Sequence, residues 1–314
     1  MLEVPAQGST LRRCANHGRF GFCNWLLDAG DSSDLCVSCR LTRVLPDLSV
    51  AGNMAAWQKI ELAKKRLVVN LSALGLTPRP KLNDDDLGGL SFEFLASVPG
   101  KAPTLTGHAN GVITLNIAEA DDVQRESMRV ALGEPMRTLL GHLRHEVSHY
   151  LQFHWLEWNP ALMARCREVF GEERRDYSAA LDHHRRYGPP ADWQQHYISA
   201  YASSHPWEDW AETCAHVLLV IDAVQTAAAW GLRLDGPAAT AQPGMSYAGQ
   251  QVESLVLEHW LPVAQFLNSM NRSLGLPDSY PFLMPDDVLR KMKTVQTLLV
   301  EAAWKQRAGA LQYA

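Results

Sequence analysis

The sequence predicts a mostly helical α+β protein with one small antiparallel sheet and a cysteine-rich N-terminal module. Three observations carry that expectation. Apolar residues recur at helical spacing through most long segments after Gly52, period-two alternation is confined to residues 90–117, and Cys14, Cys23, Cys36 and Cys39 crowd into the first 39 positions. A chain of 314 residues, 46% hydrophobic and 20% charged, can bury a substantial core. Lysine plus arginine number 29 against 34 aspartate plus glutamate, a net charge of −5, which gives no footing for a general nucleic-acid or anionic-membrane binder. No apolar run reaches the roughly 18 residues of a membrane span, and the first residues lack a basic stretch followed by an apolar one, so the cytoplasm is the expected compartment.

The N-terminal cysteines point to a metal, because thiols in a reducing compartment cluster for ligation more often than for disulfides. Cys36-Val37-Ser38-Cys39 has zinc-knuckle spacing, whereas eight residues separate Cys14 from Cys23. Four thiolates form the preferred ligand set for a structural zinc. The set Cys14, His17, Cys36 and Cys39 is the alternative, since Cys14-Ala15-Asn16-His17 also has knuckle spacing. Cys166 and Cys214 read as ordinary core thiols.

After Pro46 the helical period takes over. Trp57, Ile60, Leu67, Leu71 and Leu74 outline a helix over 54–74 that Gly75 closes. Pro78, Pro80 and Asp84–Asp86 form a loop, and the period then shifts to two. Residues 90–95, 104–106 and 111–117 read as strands, the last two flanking a turn with Gly107 and Asn110-Gly111. Gly111–Asn116 is the expected edge strand for an extended substrate. A helix over 121–132 follows. Pro135 is expected to begin the next, which runs to about Trp155; short helices fill 158–199; long ones occupy 213–229, 247–270 and 286–308.

Within the helix expected from Pro135 lies His145-Glu146-Val147-Ser148-His149. Residues four apart on a helix differ by about 40° in angle, so His145 and His149 can reach one ion from one face. Glu146 lies beside them, placed to take a proton from a water at the ion without ligating it. A catalytic zinc needs a third protein ligand. Downstream, Pro206 marks a helix start, and Glu208 and Glu212 share one face one turn apart. Glu208 is expected to bind the metal and Glu212 to orient a ligating histidine; the reverse, with Glu212 ligating and His216 behind it, is the alternative.

H-E-x-x-H with a distant glutamate resembles the gluzincin metallopeptidases. The register of Tyr201, Glu208 and Glu212 is similar to that of a toxin member of the group, which implies that Tyr201 donates to the scissile carbonyl. Over most of its length the chain resembles a bacterial family of zinc-binding metallopeptidases with an N-terminal zinc-ribbon-like segment, through Cys23–Leu26, Arg144–Tyr150, Phe170–Arg174, Tyr201–His216, Asn271–Ser273 and Pro281-Phe282. The resemblance implies a zincin-like core at 46–314, a ribbon-like segment at 1–45, one catalytic and one structural zinc ion, and a peptide or protein substrate. A non-enzymatic zinc-ribbon adaptor with an inactive body, or a hydrolase of a non-peptide amide, are the rival readings. Retention of Glu146 argues against the first.

Overall fold

The computed structural model describes residues 10–97, 100, 104, 106–132, 134–156, 159–236, 240–241 and 250–312. Internal packing divides the chain into two compact units, Met1–Met128 and Arg129–Ala314. Among the described residues no helix is long and apolar enough to cross a membrane.

In the first unit, strands β1 (Leu11–Arg13) and β2 (Leu26–Asp28) pair antiparallel around a short helix α1 (Ala15–Phe20). A second sheet holds β3 (Thr42–Val44), β4 (Ser91–Leu95), β5 (Gly107–Ala109) and β6 (Val112–Asn116), with helix α2 (Asn53–Ala73) between β3 and β4 in sequence. Helix α2 packs on this sheet through an unusual core. Glu61 and Lys64 are both buried, the Lys64 ammonium lies 5.3 Å from the Phe92 ring centroid, and Trp57 and Thr42 hydrogen-bond Glu61. The pair is tolerable there because the lysine charge meets both a carboxylate and an aromatic face.

The sheet departs from expectation in two ways. Its order is β3-β4-β6-β5, and only the β5–β6 pair is antiparallel; β3–β4 and β4–β6 run parallel. The hairpin was legible because Asn110 (φ 48°) and Gly111 (φ 77°) form the tight turn with two positive φ values. Gly111 is obligatory for a second reason, since a Cβ there would lie 2.3 Å from the Gly89 carbonyl oxygen. The parallel pairs have no such local signature, because helix α2 and a long loop carry the crossovers. As a consequence Gly111–Asn116 is an interior strand, hydrogen-bonded on both sides, and cannot receive a substrate strand. Gly107, expected in the turn, instead pairs with Thr114 as the first residue of β5.

Helix α3 spans Asp122–Leu132. The second unit is helical. It contains α4 (Leu139–Leu151), which continues as a π-helical turn over Gln152–Leu156, then α5 (Pro160–Phe170), α6 (Tyr177–Tyr187), α7 (Trp193–His196) and α8 (Pro206–Ala229). Two short paired strands, β7 (Leu234–Asp235) and β8 (Thr240–Ala241), precede α9 (Val252–Ser254), α10 (Leu261–Ser273) and α11 (Asp286–Gln312). Most of the loop expected at 236–246 lies outside the described residues. Helix α4 starts four residues after Pro135, because Thr138 caps it by accepting from the Gly141 N–H.

Helix α8 is the spine of this unit. Trp210, Cys214, Leu218, Val220 and Val224 are fully buried along it. It packs on α4 and is pinned there by two polar contacts that also fix register: Trp210 Nε1 donates to the Ser148 carbonyl at 2.9 Å, and Arg144 pairs with Asp222 at 2.6 Å. Registration of these two helices sets the geometry of everything that follows.

Candidate metal centre

Helix α4 presents His145 and His149 one turn apart, with their Nε2 atoms 3.1 Å from each other. Glu208 comes from the first turn of α8. That turn is well defined: Pro206 occupies the first helical position, and the His205 side chain caps the helix by accepting from the Trp207 N–H. Glu208 Oε2 lies 3.1 Å from His145 Nε2 and 3.6 Å from His149 Nε2.

Three atoms at those separations define one face of a tetrahedron. With bonds of about 2.0–2.1 Å to a central zinc, tetrahedral ligand atoms stand about 3.3–3.4 Å apart. The tautomers strengthen the fit. His145 Nδ1 is 2.7 Å from Glu212 Oε1, which holds the Nδ1 proton, so a neutral ring turns its Nε2 lone pair toward the other two atoms. Glu208 Oε2 is buried and has no hydrogen-bond partner among the described residues. Lone pairs facing one another in a buried site repel unless a cation sits among them, and the donor set N, N, O suits zinc.

The electrostatics point the same way. Burial alone would lower the His145 pKa, but Glu208 and Glu212 outweigh it and raise it well above the ordinary value; burial likewise raises Glu208, and the two histidines reverse this and hold it well below the usual carboxylate range. The centre stabilises positive charge, as a proton or as a metal ion.

Glu212 sits behind the histidine. Its Oε1 meets His145 Nδ1, and its Oε2 accepts from Ser199 Oγ at 2.7 Å. The alternative in which Glu212 ligates and His216 supports it does not match this geometry, since Glu212 contacts the far edge of the His145 ring. Replacing Glu212 with Ala should therefore weaken zinc binding by about 10–100-fold without abolishing it, measured by competition with a chromophoric chelator. His216, one turn further on, is buried against Tyr280, whose hydroxyl is 2.7 Å from His216 Nδ1.

Burial pushes the His216 imidazole down to about 4. Its folded pKa lies below the unfolded value of about 6.5, so the neutral ring contributes stability that is intact above pH of about 6.5 and is lost as pH falls toward 4, roughly 3 kcal/mol over the window. His216→Gln, which cannot titrate, should flatten the acid arm of a denaturation-midpoint profile measured from pH 7 to 4.5.

Glu146 is buried on α4, next in sequence to His145. Tyr201 stands in a 3₁₀ turn (Tyr201–Ser204) ahead of α8, 39% exposed, with its ring centroid 6.1 Å from that of His145. Partial burial and the Glu208 charge raise its pKa above the ordinary phenol value, so it remains a hydrogen-bond donor. Two residues of the centre escaped the sequence reading. Tyr177 donates to Glu208 Oε1 at 2.7 Å, and Ser199 links Glu212 to the Tyr201 turn by also accepting from the Ala202 N–H. Neither has a local motif; each is found only through the tertiary approach.

In the first unit, Cys14, Cys23, Cys36 and Cys39 come together with their sulfurs all within 4.8 Å of one another, each residue buried. Cys23 Sγ lies 3.8 Å from Cys36 Sγ and 3.7 Å from Cys39 Sγ. Zinc–sulfur bonds of about 2.3 Å imply tetrahedral sulfur separations of about 3.8 Å. All four are free thiols, and backbone N–H groups of Cys36 and Cys39 point at Cys14 and Cys36 sulfurs. The hydrogen bonds from Cys36 and Cys39 favour ionisation of Cys23 and, in turn, raise the other two. His17 stays outside the cluster, with Nδ1 at the Cys23 carbonyl and Nε2 at Arg13. The odd spacing has a structural cause: α1 fills the interval between Cys14 and Cys23, and the β1–β2 pairing returns the chain to the site.

Comparison with known proteins adds the following. A family model described as "Putative zinc-binding metallo-peptidase" matches residues 53–298, and one described as a zinc-ribbon domain matches residues 2–50. Uncharacterized proteins of Mycobacterium bovis and of two strains of Mycobacterium tuberculosis are each 41% identical over 304 residues, spanning 96% of this chain and 86% of theirs. No solved structure matches.

Proposed function

Because the chain belongs to this zinc-binding metallo-peptidase family and carries its N-terminal zinc ribbon, we propose that it is a gluzincin-type hydrolase of peptide or amide bonds. On this reading His145, His149 and Glu208 hold the catalytic ion, and the four N-terminal cysteines hold a structural one. The observation that carries it is the triangle of His145 Nε2, His149 Nε2 and Glu208 Oε2, with separations of 3.1, 3.1 and 3.6 Å and an unpartnered buried carboxylate oxygen at one corner.

When bound, zinc supplies a Lewis acid that acidifies a water and polarises the substrate carbonyl. Glu146 supplies the proton traffic. Its carboxylate accepts a proton as the water oxygen adds to the carbonyl carbon, then delivers that proton to the amide nitrogen as the C–N bond breaks. Tyr201, kept protonated, donates a hydrogen bond to the carbonyl oxygen as negative charge develops there. Glu212 and Ser199 hold the His145 ring in the tautomer that leaves Nε2 free. Residues 1–45 form the ribbon-like segment and 46–314 the zincin-like catalytic body, in keeping with family models that change over between residues 50 and 53. Free buried thiols at the ribbon suit a reducing compartment, which supports the cytoplasm.

The test is hydrolysis of a peptide library by zinc-replete protein, read by mass spectrometry with and without chelator. Chelator-sensitive cleavage is expected. Turnover of non-peptide amides alone would move the substrate class, and a zinc-loaded protein inert toward both would overturn the assignment in favour of an adaptor.

A further inference from the structure

Glu208 has two carboxylate oxygens, and they are treated differently. Oε2 faces the two histidine nitrogens with no hydrogen-bond partner, while Oε1 accepts from the Tyr177 hydroxyl at 2.7 Å. Tyr177 is not a loose surface phenol. It opens helix α6, whose start is fixed by Asp176 accepting from the Ala179 N–H. Its ring packs edge-on against His205 at 5.2 Å between centroids and against Trp207 at 5.6 Å. His205 is itself held at both nitrogens, by the Arg175 carbonyl and by the Trp207 N–H at the cap of α8. The residue that caps the Glu208 helix thus also seats the tyrosine that binds the Glu208 carboxylate.

We propose that Tyr177 is a positioning residue that makes Glu208 a monodentate ligand. A carboxylate free at both oxygens can close onto an ion with both, filling a coordination position. With Oε1 occupied by an O–H donor, only Oε2 remains, and positions for water and for the substrate carbonyl stay open, as a hydrolytic zinc requires. Tyr177 therefore touches neither the ion nor the substrate, yet it governs the carboxylate that holds the ion.

The proposal rests on His145, His149 and Glu208 being the ligands, and its test separates the two. The full chain is prepared with zinc in the ribbon and cobalt(II) in the second site, the absence of thiolate-to-cobalt charge-transfer bands verifying where the cobalt sits. Tyr177→Phe keeps the ring that packs on His205 and Trp207 and removes only the oxygen. Its visible cobalt bands should lose intensity, as a four-coordinate ion becomes five-coordinate, and its zinc affinity should fall by about 10–100-fold. The rate of peptide cleavage should fall through kcat with KM little changed. Tyr201→Phe should leave the cobalt spectrum as in the wild type. A Tyr177→Phe spectrum and affinity identical to wild type, with cobalt binding abolished in Glu208→Gln, would overturn the role of Tyr177 alone. Cobalt binding unaffected by Glu208→Gln would overturn the ligand reading beneath it.

Discussion

Glu146→Gln is expected to keep its catalytic zinc and lose turnover by about 10²–10⁴-fold, the span of a positioned general base. The substitution preserves shape, and Glu146 is absent from the group of residues whose ligand atoms converge on the ion site. A glutamine cannot take the proton of the attacking water. His149→Ala is the complementary case. It removes one corner of the triangle and should lose that zinc outright, so metal analysis separates the two variants although both are inactive. Activity surviving in Glu146→Gln would rule out the mechanism while leaving the metal site intact. Unchanged zinc content in His149→Ala would remove the site itself.

The second large effect belongs to the ribbon. Purified protein should hold close to two zinc ions per chain, and Cys36→Ser with Cys39→Ser should leave one. Structural zinc in small modules accounts for most of their folding free energy, apparent values reaching about 10–16 kcal/mol in isolated fingers. Beyond the thiols, Leu27 is the one buried apolar residue of the ribbon core among the described residues, with Phe22, Trp25 and Leu35 packed partly against it. So few apolar contacts cannot replace the ion. The double variant should therefore expose residues 10–45 to proteolysis. Cleavage of a peptide substrate should persist where the remaining chain stays folded. A wild-type chain with one zinc, unaffected by the double substitution, would exclude the ribbon site.

What could be read in advance follows from how local each feature is. His145 and His149 face one ion because four residues make about one helical turn, a property of α4 that needs no tertiary information. The Glu208 helix was legible for the same reason: Pro206 and the acids after it mark a first turn. Which of Glu208 and Glu212 faces the ion was not local. It depends on the registration of α8 against α4, set by Trp210 on the Ser148 carbonyl and by Arg144 on Asp222.

Tyr177 is 31 residues from Glu208 and meets it only because α6 and α8 begin side by side. No spacing rule announces such a contact. The mixed sheet failed for a related reason. Strand β3 has three residues, too few for a period, and it pairs with a partner beyond α2. Asn110-Gly111 located the turn of this sheet's hairpin, although its first strand is Gly107–Ala109 and not 104–106, and extending the antiparallel sense to the whole sheet misplaced β6 at an edge.

The most direct measurement is a zinc anomalous difference map from crystals of the zinc-replete protein. It should show a peak about 2.0–2.2 Å from His145 Nε2, His149 Nε2 and Glu208 Oε2, with Glu212 beyond ligand range and in contact with His145 Nδ1. A peak bonded to Glu212 in place of Glu208, or no peak between the two histidines in crystals that show zinc at the cysteines, would contradict the account.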